Sequence, residues 1–101
     1  MGQTIVIKRG TVIAVEAIEG TTETIRRGIA GGGKGVVVVK AVARDHDYRF
    51  DMPTVGPETI VVAAAGGAAV VALEAGRVLI LDREACLRVA DGAGMALVGV
   101  E

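Results

Sequence analysis

The sequence predicts a mixed α/β (α+β) fold, in which a single mixed β-sheet is flanked by about three short helices and residues 1–101 form one domain. Three observations support this prediction. Short β-branched runs alternate with segments that carry helix start signals. Apolar residues make up 51% of the chain, and 15 glycines indicate frequent turns between short elements. Because aromatic residues account for only 2%, we expect a core built from Val, Ala, Ile and Leu.

The first third of the chain predicts a β-hairpin followed by a helix. The β-branched runs 4–7 and 11–18 are separated by a turn in which Gly10 is expected to have a positive φ. Residues 20–23 (Gly-Thr-Thr-Glu) indicate a helix start, with a threonine hydroxyl as the cap and the acidic side chain in the first turn. We expect this helix to end at a glycine within residues 28–33.

The rest of the chain predicts two further helices and four strands. Pro57 suits the first position of a helix with Val61 on its buried side, and Asp82 suits the N-cap of another helix. The expected strands are 36–39, 69–73, 78–81 and 95–100, and the expected helices are 57–65 and 83–90. The predicted order is therefore β-β-α-β-α-β-β-α-β.

Charge, cysteine content and hydropathy exclude several classes of function. Eleven basic and twelve acidic residues give a net charge of -1, so no nucleic-acid partner is expected. Cys86 is the one cysteine, which excludes an internal disulfide and a CxxC metal site. No stretch reaches the roughly 18 to 20 apolar residues that span a bilayer. Since no basic and apolar leader opens the sequence, we expect a cytoplasmic protein.

Polar side chains are concentrated in residues 40–54, between a predicted buried strand and a predicted helix start. If this stretch is extended, Asp47, Arg49 and Asp51 share one face. Two carboxylates and a guanidinium on one face offer oxygen ligands for Mg²⁺ or Mn²⁺ and a fork for phosphate, and the helix start at Pro57 offers free amides to an anion. The same pattern is also typical of a solvated strand edge with surface ion pairs. The residues alone leave both interpretations open.

A second set of acidic residues lies at predicted strand ends. Glu16 and Glu19 flank the end of the second strand, and Glu74 ends a later one. Carboxylates in such places either converge in a cleft or merely solvate loops, and the sequence does not choose between these possibilities.

Several separate segments carry a family resemblance, and they keep one order along nearly the whole chain. They are residues 14–21 followed by 25–27, Lys40 with residues 47–57, residues 72–76 with 79–82, and residues 94–99. Together they resemble the UDP-2,3-diacylglucosamine pyrophosphatase family, found in Gram-negative bacteria that lack the metallophosphoesterase-type enzyme for this step of lipid A synthesis.

The resemblance implies a metal-dependent hydrolase that splits UDP-2,3-diacylglucosamine into UMP and 2,3-diacylglucosamine 1-phosphate. The aspartate that the family needs for catalysis falls on Asp51, which we expect to bind Mg²⁺ (or Mn²⁺) or to orient the attacking water, with Asp47 assisting. Lys40, Arg49 and Thr54 are expected to bind the substrate.

Glu16, Glu19 and Glu74 are weaker candidates, for a supporting or sugar-binding role. The chain departs from the family pattern at Thr22, where an Asp is usual. It departs again within residues 43–46, which puts phosphate or sugar contacts there in doubt.

The resemblance also implies partners. Family members carry an N-terminal domain ahead of this part, and the chain begins almost at its first strand, so we expect the isolated domain to need that partner. We further expect peripheral contact with the inner face of the inner membrane. Apolar surface left exposed where the N-terminal domain would dock predicts self-association into a homo-oligomer, whose number of subunits the sequence does not fix. Two alternatives are a non-enzymatic ligand-binding or oligomerisation module of the same fold and a phosphoryl-transfer activity on a smaller nucleotide.

Overall fold

A five-stranded mixed sheet organises the chain, and the computed structural model describes residues 3–42 and 52–101 of it. The strands are β1 (Gln3–Lys8), β2 (Thr11–Val15), β3 (Val37–Ala41), β4 (Thr54–Val55), β5 (Val70–Glu74), β6 (Leu79–Ile80) and β7 (Ala96–Val100); the helices are α1 (Thr21–Gly32), α2 (Pro57–Ala65) and α3 (Arg83–Ala93). The main sheet has the order β2-β1-β3-β5-β7, and β4 pairs with β6 in a separate two-stranded sheet. The predicted fold class, a mixed sheet with three helices, is confirmed.

The strand directions place all three helices on one face of the main sheet. β1 is antiparallel to both of its neighbours, whereas β3, β5 and β7 are parallel to one another. The connections through α1, α2 and α3 therefore all advance in the same direction across the sheet, and right-handed crossovers of this kind lie on the same side. Accordingly α2 packs against both α1 and α3, and the buried core joins the three helices to one sheet face.

The hairpin turn between β1 and β2 has the predicted geometry. Arg9 has φ 51° and Gly10 has φ 79°, so both central residues of this two-residue loop are left-handed. Two positive φ values give the turn a twist that matches the twist of the flanking strands. β2 ends at Val15, three residues before the predicted end.

Of the two predicted helix N-caps, the one of α3 is confirmed and the one of α1 is wrong. Asp82 is the N-cap of α3, and its carboxylate accepts a hydrogen bond from the Ala85 amide at 3.4 Å, as predicted. The predicted threonine cap of α1 is wrong, because the N-cap is Gly20 and no side chain caps this helix. Thr21 is the first helical residue instead, and its hydroxyl accepts hydrogen bonds from two other elements.

The core consists of small aliphatic side chains, as the composition predicts. Its largest fully buried members are Ile25, Ile60, Val6, Val36, Val38 and Val71, together with Cys86. Val61 was expected on the buried side of α2, but it is 47% exposed and Ala63 takes the buried position. The short strand β4 is an element that the sequence does not predict.

Gly28 allows α1 to lie directly on β1. A Cβ atom at this position would come within 2.5 Å of the Val6 side chain, which is far below van der Waals contact. We therefore expect Gly28→Ala to lower the free energy of unfolding by about 1 kcal/mol, because the overpacking penalty exceeds the gain in helix propensity. Urea unfolding measures this change.

Gly92→Ala is the matched control, since Gly92 is also helical, in α3, and a Cβ there meets nothing within 4 Å. It is expected to raise the free energy of unfolding by roughly 0.5–1 kcal/mol. Equal effects of the two substitutions would contradict the close packing of α1 on β1.

Candidate functional site

The candidate residues that the structure describes gather at one edge of the main sheet. The carboxyl ends of the parallel strands β3, β5 and β7 meet there, and the antiparallel β1 begins at the same edge. Lys40 lies near the end of β3, Glu74 ends β5, and Glu16 follows β2. Ligands of open α/β sheets bind beyond the carboxyl ends of the strands. This edge is therefore the candidate site.

Lys40 joins three elements at this edge. Its side chain is buried, with 6% exposure, and its Nζ donates to the Thr21 Oγ1 at 2.8 Å and to the Thr54 carbonyl oxygen at 2.9 Å. Thr21 opens α1 and Thr54 opens β4. A buried ammonium is tolerated only when its N–H groups are hydrogen-bonded. These bonds therefore fix the starts of α1 and β4 relative to β3.

The N-termini of α1 and α2 meet beside Lys40. The Oγ1 atoms of Thr22 and Thr59, each in the first turn of its helix, are 2.9 Å apart. The N-caps are Gly20 and Gly56, and neither helix has a side-chain cap. Free amides of a first helical turn carry positive partial charge. Together with the Lys40 ammonium, they give this edge an environment that favours an anion such as phosphate.

Glu16 brings a carboxylate to the same side of the sheet. Its amide donates to the Thr4 carbonyl oxygen at 2.8 Å, and Thr4 is paired with Lys40 across the β1–β3 ladder. Within residues 3–42 and 52–101, the buried Oε1 of Glu16 has no hydrogen-bond partner. A buried acceptor without a donor costs free energy, so this oxygen is suited to accept a hydrogen bond from a ligand.

Glu19 is held within the loop between β2 and α1. Its Oε1 accepts hydrogen bonds from the Ala17 amide at 3.0 Å, from the Thr24 hydroxyl at 3.3 Å and from the Arg27 guanidinium at 2.8 Å. Arg27 also donates to the Val15 carbonyl oxygen at 2.7 Å. The hydrogen bond from Arg27 and the one from Ala17 hold the pKa of Glu19 below its ordinary value. These contacts stabilise the loop, and a sugar-binding role for Glu19 stays a prediction.

Glu74 connects the polar segment to the sheet. Its Oε1 accepts from the Val42 amide at 2.8 Å, and its Oε2 lies 3.7 Å from the Arg77 guanidinium. Val42 is the last described residue before the segment 43–51. Arg77 also lines a depression of about 380 Å³, together with Met52, Gly76, Val78 and Leu79. Glu74 thus fixes the Val42 amide at the edge of the sheet.

The predicted catalytic centre falls on residues that the structure does not describe. Asp47, Arg49 and Asp51, with the proposed shared face of an extended chain, lie outside the described residues. In the two described ranges, no group of three His, Cys, Asp or Glu side chains is placed to hold a metal ion. The predicted Mg²⁺ or Mn²⁺ site on Asp51 stays a prediction.

None of the helices in the described parts of the chain is both long and apolar enough to cross a lipid bilayer.

The ion pair of Glu19 predicts a pH dependence of stability. Because the folded pKa of Glu19 is lowered, its contribution is present above the ordinary carboxyl value of 4.5 and is lost as the pH falls through the folded pKa. We expect Glu19→Gln to lower the free energy of unfolding near neutral pH and to have little effect in acid. Urea unfolding over a pH series measures this difference.

Glu101→Gln, which removes one exposed carboxylate after β7, serves as the control for a general charge effect. A Glu19→Gln penalty that stayed constant down to acid pH would show that the carboxylate charge is not what stabilises the loop.

Comparison with solved structures identifies a shared fold. The chain is similar to the dCMP deaminase of the cyanophage S-TIM5, with TM-scores of 0.62 for the complex with dCMP and dUMP and 0.61 for the apo form. The alignments cover 98% of this chain and 80% and 79% of the deaminase chains, at 12% identity. At this identity the likeness concerns the fold alone.

Comparison of sequences identifies the family, as the sequence resemblance predicts. The chain is 41% identical, over 110 aligned residues, to the UDP-2,3-diacylglucosamine pyrophosphatase LpxI of Caulobacter vibrioides. The alignment includes all of this chain but spans only 39% of that relative. A family model described as the LpxI C-terminal domain matches residues 1–98. On these two findings, the protein belongs to the LpxI C-terminal domain family.

Proposed function

We propose that this chain is the catalytic part of a hydrolase that splits the diphosphate of UDP-2,3-diacylglucosamine into UMP and 2,3-diacylglucosamine 1-phosphate, a step of lipid A synthesis. Membership of the LpxI C-terminal domain family supports this substrate. The structural observation that supports it is the buried Lys40 ammonium beside the joined N-termini of α1 and α2. Positive groups that are fixed in advance stabilise the charge that develops on phosphoryl oxygens.

The proposed division of roles follows from the positions of these groups. Lys40 and the first-turn amides of α1 and α2 contribute positive charge where the diphosphate binds, and Arg49 adds a bidentate contact. Asp51 orients the attacking water or binds the metal ion, with Asp47 assisting. Mg²⁺ or Mn²⁺, when bound, neutralises charge on the phosphoryl oxygens.

The remaining candidates have supporting roles in this proposal. Glu16 accepts a hydrogen bond from the sugar through its Oε1, which has no partner among the residues that the structure describes. Glu74 holds the start of the segment that carries Asp51, through the Val42 amide. Thr54 contributes its carbonyl oxygen to Lys40, so it supports the site through its backbone.

The proposal includes a partner domain, because the chain spans about two fifths of the relative that it matches. A substrate with two acyl chains needs a large apolar site, and clefts between domains commonly supply one. Near the site, Ile18 is 98% exposed and Leu79 is 50% exposed. We propose that the rest of the parent enzyme covers these side chains and completes the lipid pocket, at the inner face of the inner membrane.

The first test is UMP release from UDP-2,3-diacylglucosamine, by this chain together with the separately made remainder of an LpxI enzyme. We expect release that requires Mg²⁺ or Mn²⁺ and falls by at least about a thousandfold in Asp51→Ala, because the variant loses the group that orients water or metal. Asp91→Ala, an exposed position in α3, is the control.

No release by the folded pair would refute the hydrolase and leave a non-enzymatic binding module as the better interpretation. Equal release from UDP-N-acetylglucosamine, which has no second acyl chain, would favour a smaller nucleotide substrate.

A second test separates the charge of Lys40 from its structural bonds. Lys40→Met removes the ammonium, whereas Thr21→Val removes one of its acceptors and keeps the charge. We expect Lys40→Met to lower kcat/KM about a hundredfold, which corresponds to roughly 3 kcal/mol of transition-state stabilisation, and Thr21→Val to lower it much less. Equal losses in the two variants would show that Lys40 acts only by holding α1 in place.

A further inference from the structure

Two threonine hydroxyls meet where α1 and α2 begin, and together they have more protons than their bond uses. The Oγ1 atoms of Thr22 and Thr59 are 2.9 Å apart, and either atom can be the donor of the hydrogen bond between them. A hydroxyl has one proton to donate and two lone pairs that accept. One of the two protons therefore lies in this bond, and the other is left to donate elsewhere.

The remaining proton has no acceptor in the part of the chain that the structure describes. Thr24, in the same helix as Thr22, shows a common arrangement, since its hydroxyl donates to the Gly20 carbonyl oxygen at 2.8 Å. The corresponding carbonyl for Thr59 is that of Val55, which already accepts the Leu81 amide at 2.8 Å. The pair therefore keeps one donor for a group outside the described chain.

The buried Lys40 ammonium fixes the position of this pair. Its Nζ donates to the hydroxyl of Thr21, the residue before Thr22, and to the carbonyl oxygen of Thr54, two residues before the N-cap of α2. Thr22 and Thr59 are each only partly buried, so their hydroxyls are within reach of a ligand. A donor held between two helix starts and a cation suits an anionic oxygen.

We propose that the Thr22–Thr59 pair donates one hydrogen bond to a phosphoryl oxygen, and that either hydroxyl can supply the proton. The inference rests on the proposed function, which makes the diphosphate the acceptor. When Thr22 donates to Thr59, the proton of Thr59 goes to the ligand, and the reverse arrangement serves equally well. The two residues thus act as one donor with two interchangeable sources.

A purely structural role for the pair predicts a different response to mutation. If the bond only ties α1 to α2, removing either hydroxyl breaks it completely, and removing the second hydroxyl adds nothing. If the pair is the donor, removing one hydroxyl frees the proton of the other, and the bond to the ligand is lost only when both are gone. The two roles therefore predict opposite patterns of coupling in a double-mutant cycle.

The test measures the binding of UMP and of inorganic phosphate by titration calorimetry, in buffer with Mg²⁺. The protein is this chain combined with the remainder of an LpxI enzyme. We expect Thr22→Val and Thr59→Val each to raise the dissociation constant of UMP by less than about threefold, because one donor remains. The double Val variant should raise it at least about tenfold, because a hydrogen bond to a charged group is lost. Inorganic phosphate should show the same pattern.

Two controls separate the donor from other effects of substitution. The double variant Thr22→Ser with Thr59→Ser keeps both hydroxyls and should bind UMP as the unmodified chain does. Thr11→Val removes an exposed hydroxyl at the start of β2, at the opposite edge of the sheet, and should leave UMP binding unchanged. Urea unfolding checks that each variant folds, and a double Ala variant, with the same expected loss, replaces the double Val variant if that one does not.

Several results would overturn the inference. Single substitutions that weaken UMP binding as much as the double one would leave the pair as a tie between α1 and α2. A double Val variant that binds UMP normally, or an unmodified protein that binds neither UMP nor phosphate, would also refute the donor role. UMP release is a separate result: the expected binding pattern without release would refute the hydrolase alone, and release without this pattern would refute the donor role alone.

Discussion

The handedness of three crossover connections governs the layout of this protein. Because β2, β3, β5 and β7 run in the same direction and follow one another across the sheet, each connecting helix lies on the same side. One consequence is that α1 and α2 start at the same edge, where Thr22 and Thr59 bring their N-termini into contact. The other consequence is that none of the described helices covers the opposite face of the sheet. The candidate site results from this arrangement.

Within that arrangement, the Lys40 ammonium is the interaction that organises the site. It lies in a strand that is otherwise composed of Val and Ala, and it satisfies its N–H groups with acceptors that are distant in sequence. The loop that carries Glu16 is held separately, by Glu19 and Arg27. Two independent sets of contacts therefore fix the two sides of the candidate site, which is the kind of preorganisation that charge stabilisation requires.

Local sequence signals predicted those parts of the fold that depend on local physics. Gly10 and Asp82 occupy the turn and the cap that their residue types favour. Thr21 could not be predicted in the same way, because its hydroxyl is used by Lys40, 19 residues away, rather than by its own helix. Val61 illustrates the same limit, since the side of α2 that is buried depends on where α1 and α3 pack.

The candidate site likewise contains residues that the sequence predicts and residues that it does not. The sequence predicts Glu74 from its place at a strand end and Lys40 from the family resemblance, and the structure adds the hydrogen bonds that give them partners. The sequence marks Thr22 only as a departure from the family pattern and does not mark Thr59, because their contact depends on how two helices meet. The catalytic role of Asp51 comes from the family resemblance, whereas those of Asp47 and Arg49 come from the alternation of polar residues around it. All three remain predictions that activity measurements can test.

The glycine N-cap of α2 implies a conflict between stability and function. Gly56 has φ -120°, an extended conformation open to any residue, and a Cβ there would make only an ordinary contact with Leu81 at 3.9 Å. A serine or aspartate at this position would cap the helix and raise the free energy of unfolding by roughly a few tenths of a kcal/mol, since glycine is itself a tolerated N-cap. The same side chain would occupy the amides that are proposed to face the diphosphate. Engineering this protein for heat resistance should therefore leave Gly56 unchanged. A capping side chain there would increase stability but would block the amides that are proposed to bind the diphosphate.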